Sequence, residues 1–127
     1  MKIEHAALYV NDLDKARDFF CKYLGGKSNE LYHNKKTGFQ SYFITFDDGA
    51  RLEVMTKPGL VQCDPALPRI GYAHLSFSAG SKEEVDRLSC LLEENGYPIT
   101  SGPRTTGDGY YESVVSAIER IPIEITV

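Results

Sequence analysis

HAALYV, residues 5–10, sets His5, Ala7 and Tyr9 on one side of an extended chain and Ala6, Leu8 and Val10 on the other, and its pattern returns as HLSFSA at 74–79. A second matched pair lies downstream of each copy: RLEVMT (51–56) carries Glu53 and PIEITV (122–127) carries Glu124. His74 follows His5 by 69 residues, and Glu124 follows Glu53 by 71. The alternation puts the two histidines opposite the apolar sets Ala6/Leu8/Val10 and Leu75/Phe77/Ala79. It puts the two glutamates opposite Leu52/Val54 and Ile123/Ile125. All four face away from a helix layer, toward whatever the sheets curl around. Neither residue type belongs on a core face, so a His and a carboxylate repeated at matched places point to a divalent metal held by two His and two Glu.

Outward from these strands the chain reads βαβββ twice. In the first copy Asn11-Asp12 offers helix-start chemistry before LDKARDFFCKYLGG, where Leu13, Ala16, Phe20 and Leu24 recur at helical spacing and Gly25-Gly26 ends the run. Strands are expected at 28–32, 39–46 and 51–56, the last two joined by Asp47-Asp48-Gly49. In the second copy a strand at 72–79 precedes a helix capped by Ser81 with Glu84. Val85, Leu88, Leu91 and Leu92 form its buried stripe, and Asn95-Gly96 ends it. Further strands are expected at 98–100, 111–116 and 123–127. The fold class is therefore α+β, with paired βαβββ modules forming a curved mixed sheet, a half-barrel with its helices outside. The repeats run over about 1–57 and 70–127 of a single domain, 1–127, with a Pro-rich connector at about 58–69.

Composition narrows the partners. The 127 residues are 25% charged and 42% hydrophobic, ordinary for a globular domain. A net charge of −4 argues against nucleic acid. No apolar run reaches membrane-spanning length and no signal-peptide pattern precedes His5, so cytoplasmic residence is the expectation. Cys21, Cys63 and Cys90 show no metal-site spacing and read as reduced thiols, with Cys21 and Cys90 at matched, buried positions of the two helices. His33, in the HNKKTG loop, has no partner in the other copy and reads as exposed.

The segments HAALYVNDLDKARDFF, FDDGARLEVM, GYAHLSFSAGSKEEVDRL, SGPRTTGDGYYES and the terminal IEITV together resemble the vicinal oxygen chelate superfamily, which contains glyoxalase I, extradiol dioxygenases, fosfomycin-resistance enzymes and bleomycin-binding proteins. The resemblance covers essentially the whole chain. It implies His5, Glu53, His74 and Glu124 as metal ligands and a homodimer as the assembly. One departure is visible: the family usually carries a DPDGN-like turn before its last strand, where this chain has Ala117-Ile118-Glu119-Arg120-Ile121-Pro122.

A His, Glu, His, Glu set resembles the bacterial glyoxalase I arrangement more than the two-His, one-carboxylate scheme of dioxygenases. Two neutral imidazoles and two carboxylates neutralise one divalent cation, and Ni, Zn, Co, Mn or Fe all suit such donors. The implied chemistry is proton transfer next to a carbonyl of a small molecule with vicinal oxygens, as in a lactoylglutathione lyase. The metal polarises the oxygens, and a carboxylate, Glu124 before Glu53, moves the proton. Met55, Arg104, Tyr110 and Tyr111 are expected against the substrate; ordinary sheet packing is equally open to the two tyrosines, and a solvated loop position to Arg104. Arg17 and Asn34 are further candidate anchors. The alternatives are a metal-bearing small-molecule binding or antibiotic-resistance protein, or a thiol transferase or dioxygenase of the same superfamily.

Overall fold

Apolar phase and capping chemistry place the elements where they stand. In the computed structural model, which describes residues 1–62 and 70–127, the order is β1 (Ala6–Tyr9), α1 (Leu13–Leu24), β2 (Lys27–Ser28), β3 (Tyr32–Asn34), β4 (Phe39–Thr45) and β5 (Arg51–Thr56). It continues with β6 (Leu75–Ser78), α2 (Lys82–Glu94), β7 (Ile99–Thr105), β8 (Tyr111–Ser116), a short 3-10 turn (Ile118–Arg120) and β9 (Pro122–Thr126). The chain divides into two compact units, Met1–Gln62 and Cys63–Val127.

In the first unit the sheet order is β1-β5-β4-β2, with β3 also on β4. The β1–β5 pair is parallel and the rest are antiparallel, so the sheet is mixed and open at its ends. Asp12 caps α1 by accepting a hydrogen bond from Lys15 N. The helix lays Leu13, Ala16, Phe19 and Phe20 onto Tyr42, Ile44, Leu52 and Val54, all buried. A side chain at Gly26 would run into Ile44, so the chain turns off the helix there only because that position is glycine. The strand expected at 28–32 is two short strands instead. Asn29 interrupts it by answering Phe43 with its own side chain: its N–H donates to the Phe43 carbonyl, and its Oδ1 accepts from Phe43 N at 2.8 Å. His33 stands on β3 rather than in a loop, and it is exposed.

The second unit repeats the plan as β6-β9-β8-β7, with β6 parallel to β9. Ser81 caps α2 through Glu84 N at 3.2 Å. The buried face of α2 is Val85, Ser89 and Leu92, with Leu88 and Leu91 only part-buried, because Ser89 takes the slot nearest the sheet. There it hydrogen-bonds Ser113 on β8 at 2.6 Å. Cys90, next to that slot, faces outward and is exposed, and Cys21 is half-buried, which corrects the reading of both as core residues. Cys63 lies outside the described residues. The strand expected from residue 72 begins at Leu75, with Tyr72 exposed, and the one expected at 98–100 runs on to Thr105.

The atypical segment before β9 keeps the turn geometry of its counterpart. Between β4 and β5, Phe46 N donates to the Ala50 carbonyl and Gly49 N to the Phe46 carbonyl. Between β8 and β9, Ala117 N donates to the Ile121 carbonyl and Arg120 N to the Ala117 carbonyl. Gly49 has φ 87°, and Arg120, in the equivalent place, adopts φ 64° without being glycine.

Candidate functional site

Strand register builds the same small constellation in each unit. In the first, Ala7 and Phe43 flank Glu53 on the neighbouring strands, while Leu52 and Val54 turn inward to the helix. His5, just before β1, brings Nε2 to 3.9 Å from Glu53 Oε2. In the second, Ser76 and Val114 flank Glu124 while Ile123 and Ile125 turn inward. His74, just before β6, brings Nε2 to 3.5 Å from Glu124 Oε2. Both glutamates lie on the sheet face away from the helix and are largely sheltered, their side chains 15% and 16% exposed. Two donors each about 2.0–2.2 Å from one ion stand roughly 3–3.5 Å apart; the His74–Glu124 spacing falls at the edge of that range and the His5–Glu53 spacing lies beyond it. Among the described residues no group of three or more His, Cys, Asp or Glu stands ready to hold a metal. Each unit by itself supplies a pair.

The surroundings of the two pairs differ. The His5 ring meets Phe43 edge-on, with centroids 5.2 Å apart, and the Arg51 guanidinium lies 4.3 Å from the centre of the same ring. Glu4 bridges them, one oxygen against His5 Nδ1 and the other against Arg51. Those hydrogen bonds, from His5 first and Arg51 next, hold the Glu4 carboxyl below its ordinary pKa. In the second unit Ser76 Oγ donates to Glu124 Oε1 at 2.6 Å. Arg104 on β7 reaches Glu112 at 3.3 Å and Ser101 at 3.1 Å. Burial, and then the charge of Glu124, pushes the Glu112 carboxyl up despite Arg104.

Met55 shares the Glu53 face by alternation on β5, and Arg104 is paired across from Glu112 on the Glu124 face. Tyr110 is exposed at the β7–β8 turn, its N–H held by Thr106 Oγ1. Tyr111 is not at the site. It is in phase with the buried Ser113 and Val115, and its hydroxyl donates to Asp86 of α2 at 2.7 Å. The same phase puts Glu112 on the ligand face, which the YYESVVS pattern already contained once the strand's inward face was fixed on Ser113 and Val115. Glu4 carried no such periodic signal. Arg17 is engaged in the helix layer by Asp14, Asp18 and Tyr42, and Asn34 caps the turn at Lys36 and Thr37, so neither faces the ligand pairs. A cleft of about 350 Å³ on the helix side of the second unit, lined by Asp86, Cys90, Glu93, Ile99 and Pro103 among others, contains no histidine and lies behind the sheet from Glu124.

Residues 2–124 match the Glyoxalase/Bleomycin resistance protein/Dioxygenase superfamily. A relative from Bacillus subtilis (strain 168), the uncharacterized protein YqjT, is 30% identical over 97% of this chain and 96% of its own. Among solved structures, the trypanothione-dependent glyoxalase I of Leishmania major is similar with TM-score 0.77 at 18% identity, covering 98% of this chain and 85% of that one. The fosfomycin resistance protein FosX of Listeria monocytogenes, complexed with Mn(II) and sulfate, is similar with TM-score 0.72 at 16% identity, covering 99% and 91%. At those identities the two structures speak for the fold.

Proposed function

The chain belongs to the Glyoxalase/Bleomycin resistance protein/Dioxygenase superfamily, and from that membership we propose that it is a metal-dependent enzyme of the glyoxalase I kind, moving a proton between adjacent carbons of a small substrate with two neighbouring oxygens. The observation that carries this reading is the pair of matched His–Glu contacts, 3.9 Å and 3.5 Å, at equivalent registers of two sheets. His5, Glu53, His74 and Glu124 are the ligands of one divalent cation, whose charge the two carboxylates balance; Ni, Zn, Co, Mn and Fe all suit the donor set. Such a cation supplies Lewis acidity to the vicinal oxygens.

The remaining chemistry belongs to side chains. Glu124 takes the proton from the carbon beside the carbonyl and returns it to the next carbon. It suits this role better than Glu53 because the Ser76 hydroxyl holds one of its oxygens in place, whereas the equivalent neighbour of Glu53 is Ala7, which has no donor to offer. Arg104 and Tyr110 give the substrate polar contacts, and Met55 an apolar one. The assembly is a two-fold homodimer, for which β1 and β6, each the end strand of its sheet among the described residues, supply edges. Light scattering should return twice the mass of one chain, and a strictly monomeric mass at micromolar concentration would contradict the dimer. No nucleic-acid partner is proposed, in keeping with the net charge of −4. Among the described residues no helix is long and apolar enough to cross a membrane, and the cytoplasm is the proposed compartment.

The test is a hemithioacetal isomerisation assay with several thiols on protein of known metal content. Turnover that rises and falls with bound metal supports the enzyme. The fold shared with FosX favours one second reading, a metal-bearing binding or resistance protein; that reading predicts no turnover of any hemithioacetal.

A further inference from the structure

We propose that Glu4 is a positioning residue for His5, a role that rests on the metal-ligand reading of that histidine. The glutamate spans two groups: one oxygen meets His5 Nδ1 and the other meets Arg51. A carboxylate can only accept, so the imidazole nitrogen facing it carries the proton, and the lone pair is left on Nε2. Nε2 is the atom 3.9 Å from Glu53. Arg51 fixes the far side of the clamp and itself lies over the Phe43 ring, which also meets the imidazole edge to face. Glu4, Arg51 and Phe43 together thus set both the tautomer and the tilt of the His5 ring. A carboxylate behind a histidine ligand acts in this way at metal sites generally.

The second unit shows that this is a distinct device. The residue before His74 is Ala73, the place of Arg51 is taken by Pro122, and the place of Phe43 by Val114. All three parts occur together in one unit and are missing together in the other. His74 instead stands beside Glu124. Structural stability does not account for the clamp, since an exposed ion pair such as Glu4–Arg51 adds little to folding.

The experiment reads the tautomer directly. In the metal-free chain labelled with 15N-histidine, long-range proton–nitrogen spectra at mildly alkaline pH should show His5 protonated at Nδ1. Glu4→Ala should release that preference, and Glu4→Gln, whose amide oxygen still accepts, should restore most of it. Cobalt(II) alone, titrated against a competing chelator, should bind Glu4→Ala about 10–100-fold more weakly than wild type, with Glu4→Gln between them. An unchanged His5 tautomer and unchanged cobalt affinity in Glu4→Ala would overturn the role of Glu4 while leaving the metal site standing. A wild-type chain that binds no cobalt would overturn the metal site and this role with it, even if the tautomer responded.

Discussion

The two units share a frame and differ in what fills it. Strand order, the helix caps at Asp12 and Ser81, and the hydrogen bonds of the five-residue turns at 46–50 and 117–121 coincide. Between helix and sheet, however, the first unit packs Phe20 and Tyr42 where the second has Ser89 and Ser113. Around the ligand pair the first places Glu4, Arg51 and Phe43, and the second Ser76, Glu112 and Arg104. Backbone hydrogen bonds and apolar phase fix a βαβββ unit, and side-chain size and polarity are free to drift within it. That freedom gives the halves different work: one orients its histidine, and the other holds its carboxylate by a hydroxyl.

The largest effect should separate the glutamates. Glu124→Gln is expected to lose about a hundredfold or more in turnover per bound metal, with Glu53→Gln losing clearly less on the same normalised scale. Equal losses would erase the functional difference between the units. Loss concentrated in Glu53→Gln would invert it.

The packing contrast comes next. Ser89 donates to the Val85 carbonyl at 2.6 Å, which leaves Ser113 to donate to Ser89. Ser89→Ala strands the fully buried Ser113 hydroxyl and should cost about 2 kcal/mol in urea unfolding. Ser113→Ala removes only a donor and should cost about 1 kcal/mol. Tyr42→Phe in the first unit, where the lost bond to Asp14 lies at the margin of the core, should cost about 1 kcal/mol or less. An equal cost for the two serine variants would mean that the bond runs the other way.

The smallest effect concerns the turns. Arg120→Gly relieves a left-handed backbone that L-residues resist by roughly 1–2 kcal/mol and returns part of that through unfolded-chain entropy. A net gain of about 0.5–1 kcal/mol is expected in thermal or urea unfolding. Gly49→Arg, at the matching open position, should lose a similar amount. No change in either would show that the two turns are not equivalent.

Alternation alone placed His5, Glu53, His74 and Glu124 opposite the apolar sets; in the structure Val10, Leu52, Val54, Ile123 and Ile125 of those sets are buried, and Ala6, Leu8, Leu75, Phe77 and Ala79 are part-buried. Both helix caps were likewise readable, because Asp12 and Ser81 stand directly before apolar periodic runs. What escaped the sequence depends on side-chain substitutions for backbone bonds or on contacts without period. Asn29 breaks a strand with its own amide. Ser89 and Ser113 satisfy each other inside the core, so a polar pair occupies positions that hydropathy assigns to solvent. For Tyr111 sheet packing and substrate contact were equally open to the sequence, and the phase of β8, set by the buried Ser113 and Val115, decides for packing. Glu4 precedes the first strand, where no periodicity distinguishes a clamp from a solvated charge.

The central proposal is that the chain holds one divalent cation with His5, Glu53, His74 and Glu124 as its ligands. Equilibrium dialysis of the metal-free chain against cobalt(II), with His5→Ala and His74→Ala alongside, tests it most directly. The account predicts about one ion per wild-type chain and loss of stoichiometric binding in both variants. Two ions per chain, or full retention by either variant, would show that the pairs act separately and would contradict it.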